Sequence, residues 1–436
     1  MTFVLDRSEI KQIAFATSEL YIYNIIQNKI DMEKPTAALE ISSAEIKMVV
    51  GYEIDGQPIV LYAMRKPIDT FVQRGQIIDL AGLIAALKEI KEISDSTAKL
   101  KLTISQATLI VPPLGLEVYQ NDKTTNVVSS SGLVDGIDIS NVISLVRKEI
   151  VPHGGEIIDI VPDAFELEGG RVFDNVPLGE KSNSLSILAK VHALPRTIID
   201  DFRRAFNQAG ITIKRVLVAP HAASYLFGQY PELPTSYLYV DMGSEVTTVS
   251  LVGNKALFAS TYFEKGSKDL TNAIMQAFNL PFDEAEKIKR RYGIDHHQLS
   301  FHPTIAKSVD LDNQEKEYTT EDLNKVIEAF VDDYLASLRN AISSLMAGYD
   351  KKYWQIPLIV SGGFARLYGL KELIIAAFPD NEVFFALPKS IGARHETYVN
   401  ALGAIIANNR YQSFLDDERP VVTTLTRGNK ETKQRK

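Results

Sequence analysis

The sequence of 436 residues contains no cysteine. That excludes disulfide frameworks, zinc–thiolate sites, iron–sulfur clusters and cysteine nucleophiles. No stretch approaches the roughly 18 consecutive apolar residues that a membrane helix needs. Positive charge is not in surplus either: 47 Lys and Arg stand against 55 Asp and Glu, a formal net charge of −8. A general nucleic-acid binder needs net positive charge against the phosphates, so that class drops out. Asp6, Arg7 and Glu9 interrupt the first ten residues, which therefore do not read as a secretory signal. A cytoplasmic protein is the expectation. Gly-x-Ser-x-Gly, Walker A and Gly-x-Gly-x-x-Gly motifs are also missing. What remains is ordinary globular composition, 45% hydrophobic and 23% charged. At about 100–200 residues per domain, the length suggests two to four domains.

Along the chain, residues 1–35 stand apart. Ile10, Ile13, Leu20 and Ile26 could line a helix, but Tyr21-Ile22-Tyr23 breaks the period, and Pro35 closes the segment. It reads as an extension packed on the main body. Residues 38–50 read as two strands around a Ser42-Ser43 turn, and 59–63 as a third after Asp55-Gly56. A helix follows at 79–93, with Leu80, Leu83, Ile84, Leu87 and Ile90 on one face. Residues 98–190 read as a small α+β module, with strands at 108–111, 157–161 and 186–191 around a helix at 140–150. A helix at 195–209, stopped by Gly210, leads to a strand at 213–218 and a helix opened by Pro220. A second meander then has strands at 237–240, 246–252 and 256–262, with turns at 241–244 and at Gly253-Asn254. Helices are predicted at 267–278, 282–292, 320–346, 367–377 and 397–408, with a strand at 358–360. Residues 294–318 read as polar and irregular, and the end of the chain as a polar, basic tail. The three-strand meander thus occurs twice, about 200 residues apart. Two related α/β halves around a cleft are predicted, with a ligand where strand ends and helix starts face the gap.

Three turns carry chemistry: 39–45, 240–248 and 359–364. In each, an apolar strand ends in small residues, namely Ser42 and Ser43, Gly243 and Ser244, and Gly362 and Gly363. Small residues let backbone N–H groups come close to a phosphate or sugar. Glu40 and Asp241 could hold Mg²⁺ through water. Singly, each turn is also what an ordinary strand end looks like; together, in this order, they point to a ligand. His296-His297 has no further ligand at metal spacing and reads as a polar loop. Asp310-Leu311-Asp312-Asn313 lacks the glycine a calcium loop needs at its sixth place.

Over roughly residues 36–410 the pattern resembles the actin/Hsp70/sugar-kinase superfamily. Residues 38–50 are similar to its first phosphate loop and 239–254 to its second phosphate loop and hairpin. Residues 219–225 and 398–407, with Ala401-Leu402-Gly403, resemble the two connecting helices, and 359–369 the adenosine motif. Two features narrow the resemblance to FtsA, the bacterial cell-division actin homologue. One is the α+β module at about 80–186. The other is the adenine-side helix 282–289, which ends at Tyr292-Gly293. The resemblance implies an α/β, actin-like fold of two related halves around a nucleotide cleft, with an FtsA-type inserted α+β (SHS2-like) module. It divides the chain into an extension (1–35), subdomain 1A (36–79, 187–232 and 378–412), inserted subdomain 1C (80–186), subdomain 2A (233–262 and 331–377), subdomain 2B (263–330) and a flexible basic tail (413–436).

The departures from the family matter equally. Where the first loop has Asp-hydrophobic-Gly-Thr-Thr-Lys, this chain has Glu40-Ile41-Ser42-Ser43-Ala44-Glu45, so an acid replaces the phosphate-binding lysine. The second loop keeps Asp241 and Gly243 but continues Ser244-Glu245-Val246. Glu40, Glu45, Asp241 and Glu245 would then gather with no local cation. Each close like-charge pair costs about 1–4 kcal/mol at effective dielectrics of about 80 to 20. The expectation is a degenerate site that holds ATP with Mg²⁺ weakly or not at all, and an ATPase that is absent or very weak. Its nucleotide-binding candidates are Ser42, Ser43, Asp241, Gly243, Ser244, Glu286, Lys289, Gly362 and Gly363. Glu286 and Lys289 lie three apart on one helix face, where both can reach one ligand or simply pair in solvent.

The resemblance further implies a filament-forming adaptor that links FtsZ to the cytoplasmic membrane at the division site. The family's FtsZ tail docks on the subdomain at 263–330. Thr319-Thr320-Glu321-Asp322 lacks the basic residue often found before the long helix, which leaves Lys289, Arg290 and Arg291 as candidates. The tail carries Arg427, Lys430, Lys433, Arg435 and Lys436. Near an anionic lipid surface each is worth about 1 kcal/mol; a plainly solvated tail is the other reading. Two other classes stay open. One is a PilM-like adaptor of a pilus or secretion machine. The other is a sugar-kinase-type enzyme, against which the altered second loop argues.

Overall fold

The computed structural model describes residues 35–68, 71–95, 100–294, 302–309, 314–350, 354–407 and 422–425. Most of the N-terminal extension, the His296-His297 and Asp310–Asn313 motifs, and the tail cations Arg427, Lys430, Lys433, Arg435 and Lys436 lie outside the described residues.

Strands β1 (Thr36–Ile41), β2 (Glu45–Ile54) and β3 (Gln57–Pro67) form an antiparallel meander. Asp55 (φ 51°) and Gly56 (φ 81°) make its second turn, whose two positive φ angles suit a two-residue hairpin. A short hairpin follows, β4 (Val72–Gln73) and β5 (Gln76–Ile77). Helix α1 (Leu80–Lys91) starts at Asp79, whose carboxylate accepts the Gly82 N–H at 2.9 Å. β6 (Glu92–Asp95) and β7 (Leu100–Ile104) pair antiparallel, and β8 (Gln106–Val111) runs parallel to β1.

The module contains β9 (Glu117–Asn126), helix α2 (Gly136–Arg147), β10 (Gly155–Leu167), β11 (Arg171–Phe173) and β12 (Ser184–Pro195). Its sheet has the order β11-β10-β12-β9 and its own core, built on Ile139, Val142, Phe165, Leu185 and Ile187. Helix α3 (Arg196–Ala209) ends at Gly210, whose φ of 73° supplies the left-handed cap. β13 (Thr212–Val218) and helix α4 (Ala219–Phe227) complete the first half.

The second half begins with the meander β14 (Ser236–Met242), β15 (Thr247–Gly253) and β16 (Ala256–Phe263). Helices α5 (Ser267–Phe278) and α6 (Phe282–Tyr292), the hairpin β17 (Thr304–Val309) and β18 (Glu315–Thr319), and the long helix α7 (Thr320–Met346) follow. β19 (Leu358–Ser361), helix α8 (Leu370–Ala377), β20 (Val383–Phe385), helix α9 (Val399–Ala407) and a tail strand β21 (Val422–Leu425) close the chain.

The two five-stranded sheets share one plan. The first has the order β13-β8-β1-β2-β3 and the second β20-β19-β14-β15-β16. In each, an antiparallel meander is extended by two parallel strands on the side of its first strand. The phosphate-type turns β1–β2 and β14–β15 therefore occupy equivalent places and face one another. Helices α4 and α9, buried along their whole lengths, cross at Gly403. A Cβ there would lie 1.9 Å from the Ala222 carbonyl oxygen, so only glycine permits this approach.

The structure departs from the sequence reading in four elements. The strand at 108–111, assigned to the inserted module, belongs to the first main sheet, and all six residues of β8 are buried there. The stretch read as irregular contains the hairpin β17–β18. The second meander turns at Asn254 (φ 49°) and Lys255 (φ 68°), one residue later than expected. Within the expected flexible tail, β21 pairs antiparallel with β7.

Candidate functional site

The floor of the cleft is a buried polar cluster. The tight β1–β2 turn sets Glu40 opposite Lys47 across the hairpin. The Lys47 ammonium lies 2.8 Å from Glu40 Oε1. Burial would lower its pKa, but Glu40, Asp241 and Glu45 together hold the ammonium above its ordinary value. Asp241, at the end of β14, faces it from the second half. Its carboxyl is pushed up by burial and by Glu40, partly offset by Lys47 and by the Asn400 hydrogen bond. The Asn400 amide, from α9, donates to Glu40 and to Asp241, both at 3.2 Å, and so ties the two halves together. Its Oδ1 accepts the Tyr239 hydroxyl at 3.2 Å, and that hydroxyl also meets Ser361 at 2.6 Å. The expectation of a phosphate end without a cation is thus corrected. Lys47 lies two residues beyond the lost lysine position, and the period of two along a strand keeps it on the same face.

The mouth is closed by Glu245. One carboxylate oxygen accepts the Arg74 backbone N–H at 2.8 Å and the other the Lys268 ammonium at 2.6 Å. The Ser43 hydroxyl lies near the same carboxylate and favours its charged form. Burial would raise this carboxyl, but these donors hold it below the usual carboxylate range. The Arg74 guanidinium pairs with Glu264, while Glu45 has Arg65 at 4.0 Å. The loops also satisfy themselves. The Ser42 N–H donates to the Glu45 carbonyl and the Gly243 N–H to that of Val246, both at 3.1 Å. The first N–H groups of α5, at Ser267 and Lys268, donate to the Gly243 and Ser244 carbonyls. Ser244 thus contributes a carbonyl toward the helix.

On the other side of the cleft, Gly362 has φ 97°, and a Cβ there would lie 2.4 Å from the Met242 carbonyl oxygen; Gly363 borders open space. Glu286 and Lys289 are paired at 2.6 Å. Lys289 is only 5% exposed and also donates to the Ser267 carbonyl and the Thr271 hydroxyl. Burial lowers its pKa, partly offset by Glu286. It is therefore a structural cation and not part of a partner surface, whereas Arg290 and Arg291 are exposed.

A magnesium–triphosphate group does not fit this arrangement as it stands. Lys47 already neutralises Glu40 beside Asp241, and Glu245 uses donors that would meet an incoming anion. A cavity of about 460 Å³ borders this mouth, beside Arg74 and Glu264, and one of about 300 Å³ lies beside Tyr230 and Tyr237.

Sequence reasoning missed one constellation. Where the module meets the first half, Arg215 donates to both oxygens of Asp159 at 2.9 Å, and His221 Nδ1 lies 3.2 Å from the same carboxylate. The His192 and His221 rings meet edge to face at 4.8 Å. Ligand-type atoms of Asp159, His192 and His221 lie within 4.8 Å of one another. The Arg215 guanidinium on the same carboxylate opposes a metal cation, so the cluster is a buried polar joint. The residues lie on four separate elements, and no spacing in the sequence signals it.

A family model described as "Cell division protein FtsA" matches residues 238–403, from β14 through most of α9. The cell division protein FtsA of Enterococcus faecalis is 23% identical over 385 residues, covering 87% of this chain and 83% of the relative. That of Bacillus subtilis is 22% identical over 374 residues, covering 84% and 82%. Over most of its length the chain is similar to FtsA proteins. Among solved structures, a PilM-PilN type IV pilus biogenesis complex aligns with a TM-score of 0.54 at 17% identity, covering 88% of this chain and 99% of the other. MreB5 of Spiroplasma citri bound to ADP aligns at 0.53 and 12% identity, covering 88% and 99%. The fold is actin-like. The similarity to the FtsA relatives extends over both halves of the fold. No helix among the described residues is long and apolar enough to cross a membrane.

Proposed function

We propose that this protein is an FtsA-like cell-division adaptor: an actin-fold scaffold that assembles with itself, binds FtsZ and meets the cytoplasmic face of the membrane at the division site. The observation that carries this reading is the sequence similarity to FtsA proteins over most of both chains. The self-neutralised cleft supports a scaffold that does not cycle ATP efficiently, since nucleotide entry must break ion pairs already made. The exposed Arg290 and Arg291 at the C-terminal end of α6 offer an acidic FtsZ tail its charge complement.

Co-sedimentation of the full chain with FtsZ filaments tests the reading. Binding should be retained at physiological salt and weakened several-fold by Arg290→Glu with Arg291→Glu, because rim charges act chiefly on encounter and orientation. Absence of FtsZ binding, together with capture of a membrane-protein tail peptide, would transfer the chain to the pilus-type adaptor reading. Tight ATP binding with steady turnover, read by calorimetry and phosphate release, would overturn the non-cycling part.

A further inference from the structure

Glu245 is bound as a ligand is bound. Its carboxylate is gripped by a backbone N–H and an ammonium, with a hydroxyl beside them, the donor set that suits an oxyanion in general. Two of these donors, Arg74 N–H and Ser43, come from the first half, while Glu245 and Lys268 come from the second. The grip has a visible cost. Arg74 holds φ 47° beside Gly75 at 76°, a two-residue turn in which a non-glycine residue occupies the left-handed region. That conformation leaves the Arg74 N–H outside the hairpin ladder and aims it at Glu245. Strain at such a position persists where the surroundings over-determine it. Here they do so twice, since the Arg74 side chain is also held across the cleft by Glu264.

We propose that Ser43, the Arg74 N–H and Lys268 form an anion cradle that the protein fills with its own Glu245, and that a phosphate-bearing ligand enters only by displacing this carboxylate. The inference rests on the cleft being the nucleotide-type cleft of the fold, but not on FtsZ or the membrane. Loss of FtsZ binding would leave it standing, and its own failure would leave the adaptor reading intact.

The test uses inorganic pyrophosphate as probe, the full chain, and calorimetry at low salt. Glu245→Ser clears the cradle; Glu245→Gln removes the charge but keeps the volume and an acceptor oxygen. The unaltered chain and the Gln variant should bind weakly or not at all. The Ser variant should bind about tenfold more tightly or better, since charge-assisted donors are freed for the probe. Adding Lys268→Met to the Ser variant should remove the gain. Equal gains in the Ser and Gln variants would mean that charge repulsion alone excludes the probe, and would overturn the proposal. So would a Ser variant that unfolds cooperatively like the unaltered chain yet gains nothing. Because the chain has no cysteine, thiol labels at Lys88→Cys and Asp283→Cys, one on each half, give a second readout. Their separation should broaden in the Ser variant and narrow again with pyrophosphate. An unchanged distance distribution would sink the latch.

Discussion

Lys47 stands two residues from the position where the family pattern carries a lysine, Glu245 stands where that pattern carries no charge, and each is satisfied by a partner that strand register or loop packing supplies. An exchange of Lys for Glu at 45 looks like loss of the site in a linear reading. In three dimensions the hairpin register pairs Glu40 with Lys47 and restores the balance. His192 shows a different residue-scale effect. Burial, reinforced by His221, lowers its pKa to about 3. The unfolded chain therefore binds a proton that the folded chain refuses between about pH 6.5 and about pH 3. Stability is present above that window and falls through it with decreasing pH, by on the order of 1.4 kcal/mol per pH unit from this group. Asp159 has a folded pKa below its unfolded one, so its contribution is lost only below about pH 4. Urea midpoints taken between about pH 7 and about pH 5 should thus decline less steeply for His192→Gln than for the unaltered chain. Parallel declines would show that His192 is not the group that titrates.

At the scale of elements, the legible parts were those with a strong local signal. Both meanders were visible because apolar strands alternate with turn residues, and α7 because its period holds from Thr320 to Met346. The hairpin β17–β18 was invisible because β17 buries no residue fully and β18 buries only Tyr318, so no apolar run marks it. β8 was visible as a strand but not as a neighbour of β1, since parallel partners lie far apart in sequence and nothing local names them. The site turns were likewise found from their small residues, whereas the donors Arg74 and Lys268 were not, because they converge only through cleft closure. The crossing of α4 and α9 makes a sharper claim. Gly403→Ala places a methyl 1.9 Å from the Ala222 carbonyl oxygen. The helices must separate, and the denaturant midpoint should fall by the equivalent of about 1–3 kcal/mol. An unchanged midpoint would mean that this crossing is looser than described.

For the whole molecule, the basic end of an otherwise acidic chain suggests reversible contact with an anionic surface. Removing residues 427–436 should weaken co-sedimentation with anionic vesicles. Physiological salt should mimic the deletion, because the screening length shrinks to about 8 Å. Equal binding by both forms would make the tail a bystander. The division of the chain between the two cores has one more consequence. Among the described residues, the buried members of the second core run from Leu238 to Phe378, with Val383 and Phe385 packed against them. The first core runs from Ala37 to Ala407, and it is α9 that covers β1 and β2. During synthesis the earliest strands therefore emerge long before the helix that shields them, while the later half can complete itself first. A nascent chain must carry an uncovered first sheet until residues 399–407 leave the ribosome, which makes this half, and not the second, the natural client of a holding chaperone.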